Sequence, residues 1–506
     1  IDFAVNVAGT GAVGVAAKSG SVISGNVTTG QDSVGVYLLD DTVTFNGANI
    51  TTGTNNLGTS VGILFDAGIT GAYTMNNASV NAKNGVGIYL GGAGMTLNHN
   101  GNVTTENGIG IYVPTGTTLA TGTSTMNING GTGVYVDGGT ANLGTTGNLT
   151  FNFLAGGGIG VFNNGGTLNL GNNITVTGSG SLAATSNGSL NSTGNLNIGE
   201  GATGMLGTYD SAMTGPQSIS NTGGTITAAS GGIGLAAIKG STNPGFPVTI
   251  TNTGTITASG VSTTNTPSIG IYTDVADIAN TGNINVGSKG IGIYSNHNGV
   301  MTSVQNNNMT MTGTDGIGVY LKGVTGGLVS NNINSTGSKN TGLVLDGVNA
   351  VTINAGIITL KNESVGILAT NGTTSLIDGI ISVGASSDTK SAIGIVANTG
   401  SNVTVAGTTT ITAGNGGIGV YAEGAGTTVT ITNTGNISVG TNGIYMYSKG
   451  AALTFTGDIT ADNRIGIVAA GGSVTANGNS TITAKNGGIG AYVKNAAPSF
   501  KGSNIV

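Results

Sequence analysis

A short glycine-centred phrase recurs from one end of this 506-residue chain to the other. It has the form x-Gly-[Ile/Val/Leu]-[Tyr/Val/Leu/Ala/Phe], as in Ile-Gly-Val-Tyr around Gly419. Nineteen copies lie between Gly14 and Gly490, and a worn twentieth copy, SGSLAATS at 179–186, fits the widest gap. The mean spacing is about 25 residues, which indicates a stacked repeat architecture.

A second phrase, Asn-Thr-Gly followed by a β-branched run, begins near Ser220, Thr251, Ala279 and Thr432. Asn and Gly tolerate the left-handed conformation of sharp turns, so the phrase predicts a strand, a turn and a strand. Only 6% of the residues are charged, which disfavours helices with a solvated face, and β-branched residues are abundant. Each repeat therefore holds three short strands.

These features predict an all-β fold, a parallel right-handed β-helix solenoid of about 20 coils with about 25 residues and three strands per coil. A single coil cannot bury its apolar face, whereas stacked coils share a core and pair their backbones. The crossover preference of parallel strands favours the right hand. Propeller blades need about 40–50 residues, and the Leu/Asn ladder of leucine-rich repeats is missing.

The spacing divides the chain into three segments, regular coils over 1–177, irregular coils with inserted loops over 178–268, and regular coils over 269–506. Four of the six prolines lie in the irregular segment. Insertions in a solenoid become surface loops, and such loops often bind partners. The predicted exposed binding residues are Tyr209, Asp210, Asn243, Pro244, Phe246 and Pro247. A bulge without function is the alternative.

Strand alternation in the Gly419 copy predicts that Ile418, Val420 and Ala422 face the core and that Gly419 and Tyr421 face outwards. Most tyrosines fall in the same outward position, which predicts an aromatic row along one face. Its members are Tyr37, Tyr89, Tyr112, Tyr135, Tyr272, Tyr294, Tyr320, Tyr421, Tyr445 and Tyr492. The rings either stack to shield glycine-rich backbone or form a platform for sugars or a partner protein, for which Tyr272, Tyr294 and Tyr320 are the candidates.

The residues that carry catalysis are sparse. Cys is absent, the only arginine is Arg464, and the 19 acidic residues are scattered. His99 and His297 lie about eight coils apart, and each is expected to be an exposed turn residue. No catalytic, cofactor-binding or metal-binding residue is assigned, and a net charge of −6 without charge blocks argues against nucleic-acid binding.

The dense phrases NGVGIY, NGIGIYV and SKGIGIYS, together with Asn-Thr-Gly-x-Ile and the lack of Cys, resemble the passengers of giant fusobacterial type V autotransporter adhesins. The resemblance covers nearly the whole chain but places no binding motif on named residues. It implies a passenger at the bacterial surface, held by a C-terminal outer-membrane β-barrel that these 506 residues do not include. It also implies partners such as galactose-type glycans, other bacteria and host receptors, inhibitory immune receptors among them.

The first hypothesis is therefore a non-enzymatic cell-surface adhesin segment, a rigid β-helical rod that binds host-cell receptors through its loops or its tyrosine face. The alternative is a structural stalk that spaces a distal binding domain from the outer membrane. A polysaccharide-degrading β-helix enzyme is the third hypothesis. It is disfavoured because such enzymes cluster carboxylates with Arg or Lys.

Overall fold

The computed structural model describes residues 1–52, 60–171, 173–261, 265–297, 299–300, 303–499 and 504–505. It confirms the predicted class, a β-solenoid of about 20 turns with about 24 residues per coil and almost entirely parallel strands. The chain divides into two compact units, Ile1–Ile256 and Thr257–Val506. The predicted division into three segments stays a prediction.

The strands that contain the repeat glycine, or the residue that takes its position, are here called the glycine strands and form one parallel sheet within each unit. Each strand pairs in register with its equivalent in the next coil, as Ile111 does with Val134. The described part of the first unit holds Val13–Ala17, Val34–Leu38, Val61–Phe65, Val86–Tyr89, Ile109–Pro114, Thr132–Asp137, Ile159–Asn164, Ser181–Ser186, Thr203–Tyr209 and Ile233–Lys239. The described part of the second holds Ile269–Thr273, Ile291–Ser295, Ile317–Lys322, Thr341–Asp346, Val365–Thr370, Ile393–Ala397, Ile418–Glu423, Ile444–Lys449, Ile465–Ala470 and Ile489–Lys494.

The remaining strands complete each coil, commonly as two further short strands and in some coils as one long one. Residues up to 258 contribute Val5–Asn6, Val22–Ile23, Val27–Thr28, Thr44–Phe45, Asn49–Thr51, Gly71–Lys83, Met95–Glu106, Thr118–Thr121, Ser124–Asn129, Thr140–Leu143, Leu149–Phe153, Thr167–Leu170, Ile174–Thr177, Leu190–Ser192, Leu196–Ile198, Gln217–Asn221, Thr225–Ala228, Val248–Asn252 and Thr255–Ala258. Later residues contribute Asp277–Asn280, Asn283–Val286, Gly299–Val300, Ser303–Met311, Val324–Thr325, Leu328–Ser335, Val351–Leu360, Thr374–Val383, Asn402–Val405, Thr410–Ala413, Thr428–Ile431, Ile437–Val439, Ala452–Thr456, Ile459–Asp462, Ser473–Asn477, Thr481–Lys485, Ala497–Ser499 and Asn504–Ile505. A single 3₁₀ turn, Thr434–Asn436, stands out among the described residues.

The worn repeat copy is a genuine coil. Ser181–Ser186 pairs on one side with Ile159–Asn164 and on the other with Thr203–Tyr209. Leu182 occupies the position of the repeat glycine there, and its side chain is fully buried. The period therefore continues through the widest gap between the glycines.

The repeat glycine faces inwards, so the prediction that Gly419 faces outwards is wrong. The glycine and the residue that follows it are both buried in the glycine strands, which interrupts the alternation of the strand. A Cβ on Gly419 would lie 2.6 Å from the carbonyl oxygen of Tyr445 and 2.7 Å from Cγ2 of Ile437. Glycine is required here because the next coil and the core leave no room for a side chain.

The other predicted core positions hold. Val420 and Ala422 are fully buried, Ile418 is buried, and Tyr421 is half-buried on the outer side. In several other coils the residue before the glycine is half-exposed, as Ile109 is. The core therefore rests mainly on the positions one and three residues after the glycine.

The Asn-Thr-Gly turns do not depend on left-handed backbone. Of the four predicted phrases only the first contains a residue with positive φ, Gly223 at 101°. The asparagine acts through its side chain both in this first phrase and in the second, where Nδ2 of Asn252 donates to the carbonyl of Gly254 (3.2 Å). Asn221 is fully buried and its Nδ2 donates to the carbonyl of Gly224 (3.0 Å) and to Oδ1 of Asn252 (2.8 Å). The amide thus closes its own turn and joins it to the next coil.

His99 is a core residue, not the exposed turn residue predicted above. It lies in Met95–Glu106 with no exposed surface, and its Nε2 has no hydrogen-bond partner within the described chain. Its Nδ1 lies 3.4 Å from Oγ of Ser124. Burial lowers the pKa of His99 to about 4, because an apolar interior disfavours the charged imidazolium.

We predict that Gly110→Ala destabilises the fold. Its new Cβ would lie 2.4 Å from the carbonyl oxygen of Gly133 and 2.7 Å from Cγ1 of Val103. Such overpacking costs about 1–3 kcal/mol, which urea unfolding would show as a lower midpoint. Gly215→Ala is the matched control, because a Cβ there meets nothing within 4 Å and the φ is not positive. Equal midpoints for the two variants would contradict this account of the repeat glycine.

We predict that His99 weakens the fold at acid pH. Its ordinary pKa is 6.5, so the unfolded chain binds a proton between pH 6.5 and 4 that the folded chain excludes. Above pH 6.5 the free energy of unfolding holds the full contribution of the neutral imidazole. About 2–3 kcal/mol of that free energy is lost by pH 4.5. His99→Leu should lose less stability than the parent chain between pH 7 and pH 4.5 in urea titrations. Parallel pH profiles would show that the imidazole is not held neutral.

Candidate binding surfaces

Two surface loops of consecutive coils lie against each other in the first unit. They are residues 210–216 and residues 240–247, here called the paired loops, and each follows a glycine strand. Thr242 joins them, because its Oγ1 accepts from the Ser211 amide (3.0 Å) and donates to the Ser211 hydroxyl (2.8 Å). Further backbone bonds run from the Gly240 amide to the Tyr209 carbonyl and from the Gln217 amide to the Pro247 carbonyl.

The second paired loop carries most of the predicted exposed residues. Asn243 and Pro247 are exposed, Pro244 is half-buried, and Phe246 exposes 43% of its surface. An aromatic side chain on a loop held by hydrogen bonds can contact a partner without first being ordered. Exposure is therefore found at Asn243, Phe246 and Pro247 but is only partial at Pro244, and binding by these residues stays a prediction.

The first paired loop begins with Asp210, which was predicted to be exposed. Asp210 is half-buried, and its Oδ1 accepts from the Ala212 amide and from Nδ2 of Asn187, both at 2.8 Å. These bonds, led by the Ala212 amide, lower the pKa of Asp210. Its carboxylate thus fixes the loop.

Tyr209 is not part of the exposed surface, so that prediction is wrong. It ends the glycine strand Thr203–Tyr209 and has no exposed surface, because strand pairing with Ile233–Lys239 continues to this residue. Its ring folds over Gly207, where a Cβ would lie 2.3 Å from the Tyr209 hydroxyl. That hydroxyl has no hydrogen-bond partner within the described chain. Burial raises the pKa of Tyr209.

The end of the irregular segment, near Pro267, includes residues 262–264, which lie outside the described residues. Its described ends meet, because the Ser268 amide donates to the Gly260 carbonyl (2.6 Å). This segment therefore contributes no described surface comparable to the paired loops.

The tyrosine row exists, but most of its rings are half-buried and in contact with a neighbouring ring, whereas Tyr492 exposes 51% of its surface. In the second unit Tyr272, Tyr294 and Tyr320 meet edge to face, with ring centroids 5.5 and 5.0 Å apart. In the first unit four rings are stacked with centroids 5.0–5.5 Å apart, namely Tyr89, Tyr112, Tyr135 and Phe162. Stacked rings cover each other's faces and present their edges, which leaves little face for a sugar.

One member of the predicted row lies elsewhere. Tyr445 occupies the glycine position of its coil, and its hydroxyl donates to the Thr460 carbonyl (2.9 Å). Tyr447 takes the place in the row and contacts Tyr421 edge to face at 5.2 Å. The repeat phrase in the sequence places the glycine of this coil at Gly443, because an Ile-Tyr pair follows it. The strand pairing places that position two residues later, at Tyr445.

Several tyrosines of the row donate to carboxylates two positions further along the glycine strand. Tyr320 donates to Oδ2 of Asp346 in the next coil (2.5 Å), and Tyr37 donates to Asp66. The Tyr37 hydroxyl and the Gly68 amide lower the pKa of Asp66, whereas burial followed by the Asp346 contact raises the pKa of Tyr320. These carboxylates are engaged with the row and act as its anchors.

Two of the scattered acidic residues, one in a bend and one at the start of the strand Asp277–Asn280, accept hydrogen bonds from nearby residues. Asp40 accepts from the Thr42 amide (2.8 Å) and the Thr42 hydroxyl (2.7 Å), and Oδ1 of Asp277 accepts from the Ser303 amide (3.1 Å). The described residues contain no group of three or more His, Asp or Glu side chains placed to hold a metal ion. They also include no helix whose length and apolar character would let it cross a membrane.

Two polar clefts were not predicted. One, in the first unit, has a volume of about 340 Å³ and is lined by Asn49, Asn81, Asn102, Asn127 and neighbouring Ser and Thr side chains. The other, in the second unit and here called the Asn331 cleft, has a volume of about 330 Å³. The asparagine runs QNNNMT and SNNINS were the only sequence signal for the Asn331 cleft.

The Asn331 cleft contains buried polar atoms without hydrogen-bond partners. Asn306 exposes 1% and Asn331 2% of its surface, yet Nδ2 of Asn306 and both amide atoms of Asn331 are unpaired. An unsatisfied buried polar group costs about 1–3 kcal/mol. A bound group that supplied the missing hydrogen bonds would relieve this cost.

No protein family, curated protein or solved structure matches this chain.

We predict opposite effects for two buried tyrosines on removal of the hydroxyl. The Tyr73 hydroxyl donates to the Val43 carbonyl (2.6 Å), so Tyr73→Phe should destabilise the fold by about 1 kcal/mol. The Tyr209 hydroxyl has no partner, so Tyr209→Phe should leave stability unchanged or raise it. Thermal unfolding of both variants beside the parent chain is the measurement. A loss for Tyr209→Phe equal to that for Tyr73→Phe would mean that its hydroxyl is bonded.

Proposed function

We propose that this chain is a non-catalytic binding segment of a bacterial surface adhesin, in which the β-solenoid is a scaffold and the paired loops contact the partner. The observation that carries the proposal is that Thr242 and Ser211 join the two loops, and that the second of these joined loops exposes Phe246. Loops fixed before binding lose little conformational entropy when they bind, which favours affinity.

The exposed chemistry of the paired loops suits a protein partner. Phe246 stands between Gly245 and Pro247, and the neighbouring exposed residues of this loop are small or uncharged. Buried aromatic anchors with a polar surround are typical of the centre of protein–protein interfaces. Among the partners implied by the sequence resemblance, a host-cell surface receptor, such as an inhibitory immune receptor, fits this surface best.

A galactose-type glycan or another bacterium is the alternative partner. For a glycan the tyrosine row would be the natural platform, since sugars stack on aromatic faces. Stacking from Tyr89 to Phe162 covers those faces, and the edge-to-face contacts of Tyr272, Tyr294 and Tyr320 partly cover theirs. The geometry therefore favours the paired loops over the row.

The second candidate function is a structural stalk that spaces a distal domain from the outer membrane. The in-register pairing of successive glycine strands supports it, because these strands repeat the same backbone contacts from one coil to the next. A stalk has no use for an exposed aromatic held on a hydrogen-bonded loop. Binding by the paired loops thus separates the two functions.

We predict that Phe246→Ser weakens binding of the purified chain to a responsive host receptor about tenfold or more, because a buried aromatic anchor is lost. The measurement is surface plasmon resonance against a panel of host receptors and glycans, repeated with residues 239–247 removed. Leu154→Ser is the matched control, since Leu154 exposes a similar 47% outside the paired loops. Binding that survives removal of the loop would refute the loop assignment, and no binding at all would favour the stalk.

A further inference from the structure

The Asn331 cleft lies where two successive coils depart from simple pairing. Asn306 pairs with Asn331, but Met309 pairs with Ile333, so Ser303–Met311 carries an extra residue opposite Asn332. On the other side Ser330 pairs with Asn354 while Asn332 pairs with Ile357, so the next coil also carries an extra residue. Asn331 therefore lies between two β-bulges, which interrupt the regular pairing on both sides of it.

The bulges also end a buried asparagine ladder. Nδ2 of Asn280 donates to Oδ1 of Asn306 (2.7 Å), which repeats the amide-to-amide bond between Asn221 and Asn252 in the first unit. The ladder does not continue to Asn331, because Nδ2 of Asn306 and both amide atoms of Asn331 are unpaired. Two donor groups and one acceptor are thus left in one cleft.

The lining of the cleft defines the group that would complete these bonds. It consists of asparagines, Ser330, Gly356 and Ile357, with no charged side chain among the described lining residues. Ile357 is 45% exposed and pairs in register with Ile380, which is 47% exposed. The site therefore offers amide donors, an amide acceptor and an exposed apolar surface, here called the apolar shelf. It favours a neutral ligand that has a hydrogen-bond acceptor, a hydrogen-bond donor and an apolar group.

We propose that the Asn331 cleft binds an acetamido group, as carried by an N-acetylated sugar. The acetamido carbonyl would accept from Nδ2 of Asn306 or Asn331, its N–H would donate to Oδ1 of Asn331, and its methyl would contact Ile357. No covalent step is involved. This site is distinct from the paired loops and does not depend on their function.

The size of the cleft supports a small ligand over a single trapped water. A volume of about 330 Å³ is at the lower end of small-molecule sites, whereas one water occupies about 30 Å³. Water would satisfy the amides but leave Ile357 and Ile380 exposed. An acetamido group satisfies the amides and covers part of the apolar shelf.

The test is saturation-transfer difference NMR of the whole chain with N-acetylglucosamine, with glucose as the sugar that lacks the acetamido group. N-acetylglycine methylamide carries the same group in a peptide and distinguishes the source. We expect saturable binding of N-acetylglucosamine and at least tenfold weaker binding of glucose. Asn331→Leu should weaken N-acetylglucosamine binding about tenfold or more without lowering the thermal midpoint, because the amide it removes is unpaired.

Two further variants keep the test decisive. Ile357→Ser changes an exposed residue, so it should fold even if Asn331→Leu does not, and it should reduce the preference for N-acetylglucosamine over glucose. Asn221→Leu removes a paired buried asparagine in the other unit, so it should lower stability and leave binding unchanged.

Several outcomes would overturn the proposal. One is that glucose binds as tightly as N-acetylglucosamine. Another is that Asn331→Leu binds N-acetylglucosamine as tightly as the parent chain does. The third is that no acetamido compound binds. Binding of N-acetylglycine methylamide alone would support acetamido recognition and overturn the sugar as its source. None of these results bears on Phe246, so the loop proposal stands or falls separately.

Discussion

The contact on which the fold depends is the close approach of one coil to the next at the repeat glycine. From Gly14 to Gly466, a Cβ at these glycines would in most coils lie 2.4–2.8 Å from a carbonyl oxygen of the following coil. Real Cβ atoms do not approach so closely, so the glycine sets how tightly the coils stack. Because the coils stack in register, each residue lies next to its equivalent, and rows of like side chains follow.

Those rows explain both the stability of the scaffold and its limited chemistry. Strands of one sheet lie about 4.8 Å apart, which suits the ring separations of 5.0–5.5 Å and amide-to-amide bonds such as Asn221 to Asn252. A ring that stacks on its neighbour has used the face that a ligand would contact. An asparagine that bonds its neighbour has likewise used its donor. In regular coils the aromatic faces and amide groups therefore contact their equivalents in the next coil. Groups that could bind a partner are left where the row is interrupted.

The repeat period, the parallel solenoid and the outward direction of Tyr421 could be predicted from the sequence, because each depends on spacing within one coil. The burial of Gly419 could not, because it depends on the carbonyl of the next coil. Tyr209 was predicted to be exposed because it lies in the irregular segment with inserted loops, yet pairing with the following coil extends the strand through it. The prediction for His99 was wrong for a related reason. Polar residues alternate with core positions in its strand, and His99 occupies one of those core positions.

The two proposed sites show how an interrupted row becomes a binding surface. At the paired loops the interruption is an insertion, visible in the sequence as prolines and widened spacing, and Thr242 restores the contact between coils. At the Asn331 cleft it is a bulge, invisible to spacing because the glycine period continues past it. The loop displays an apolar side chain, whereas the bulge leaves buried amides unpaired. A scaffold of this kind can therefore present two different chemistries without any change in its core.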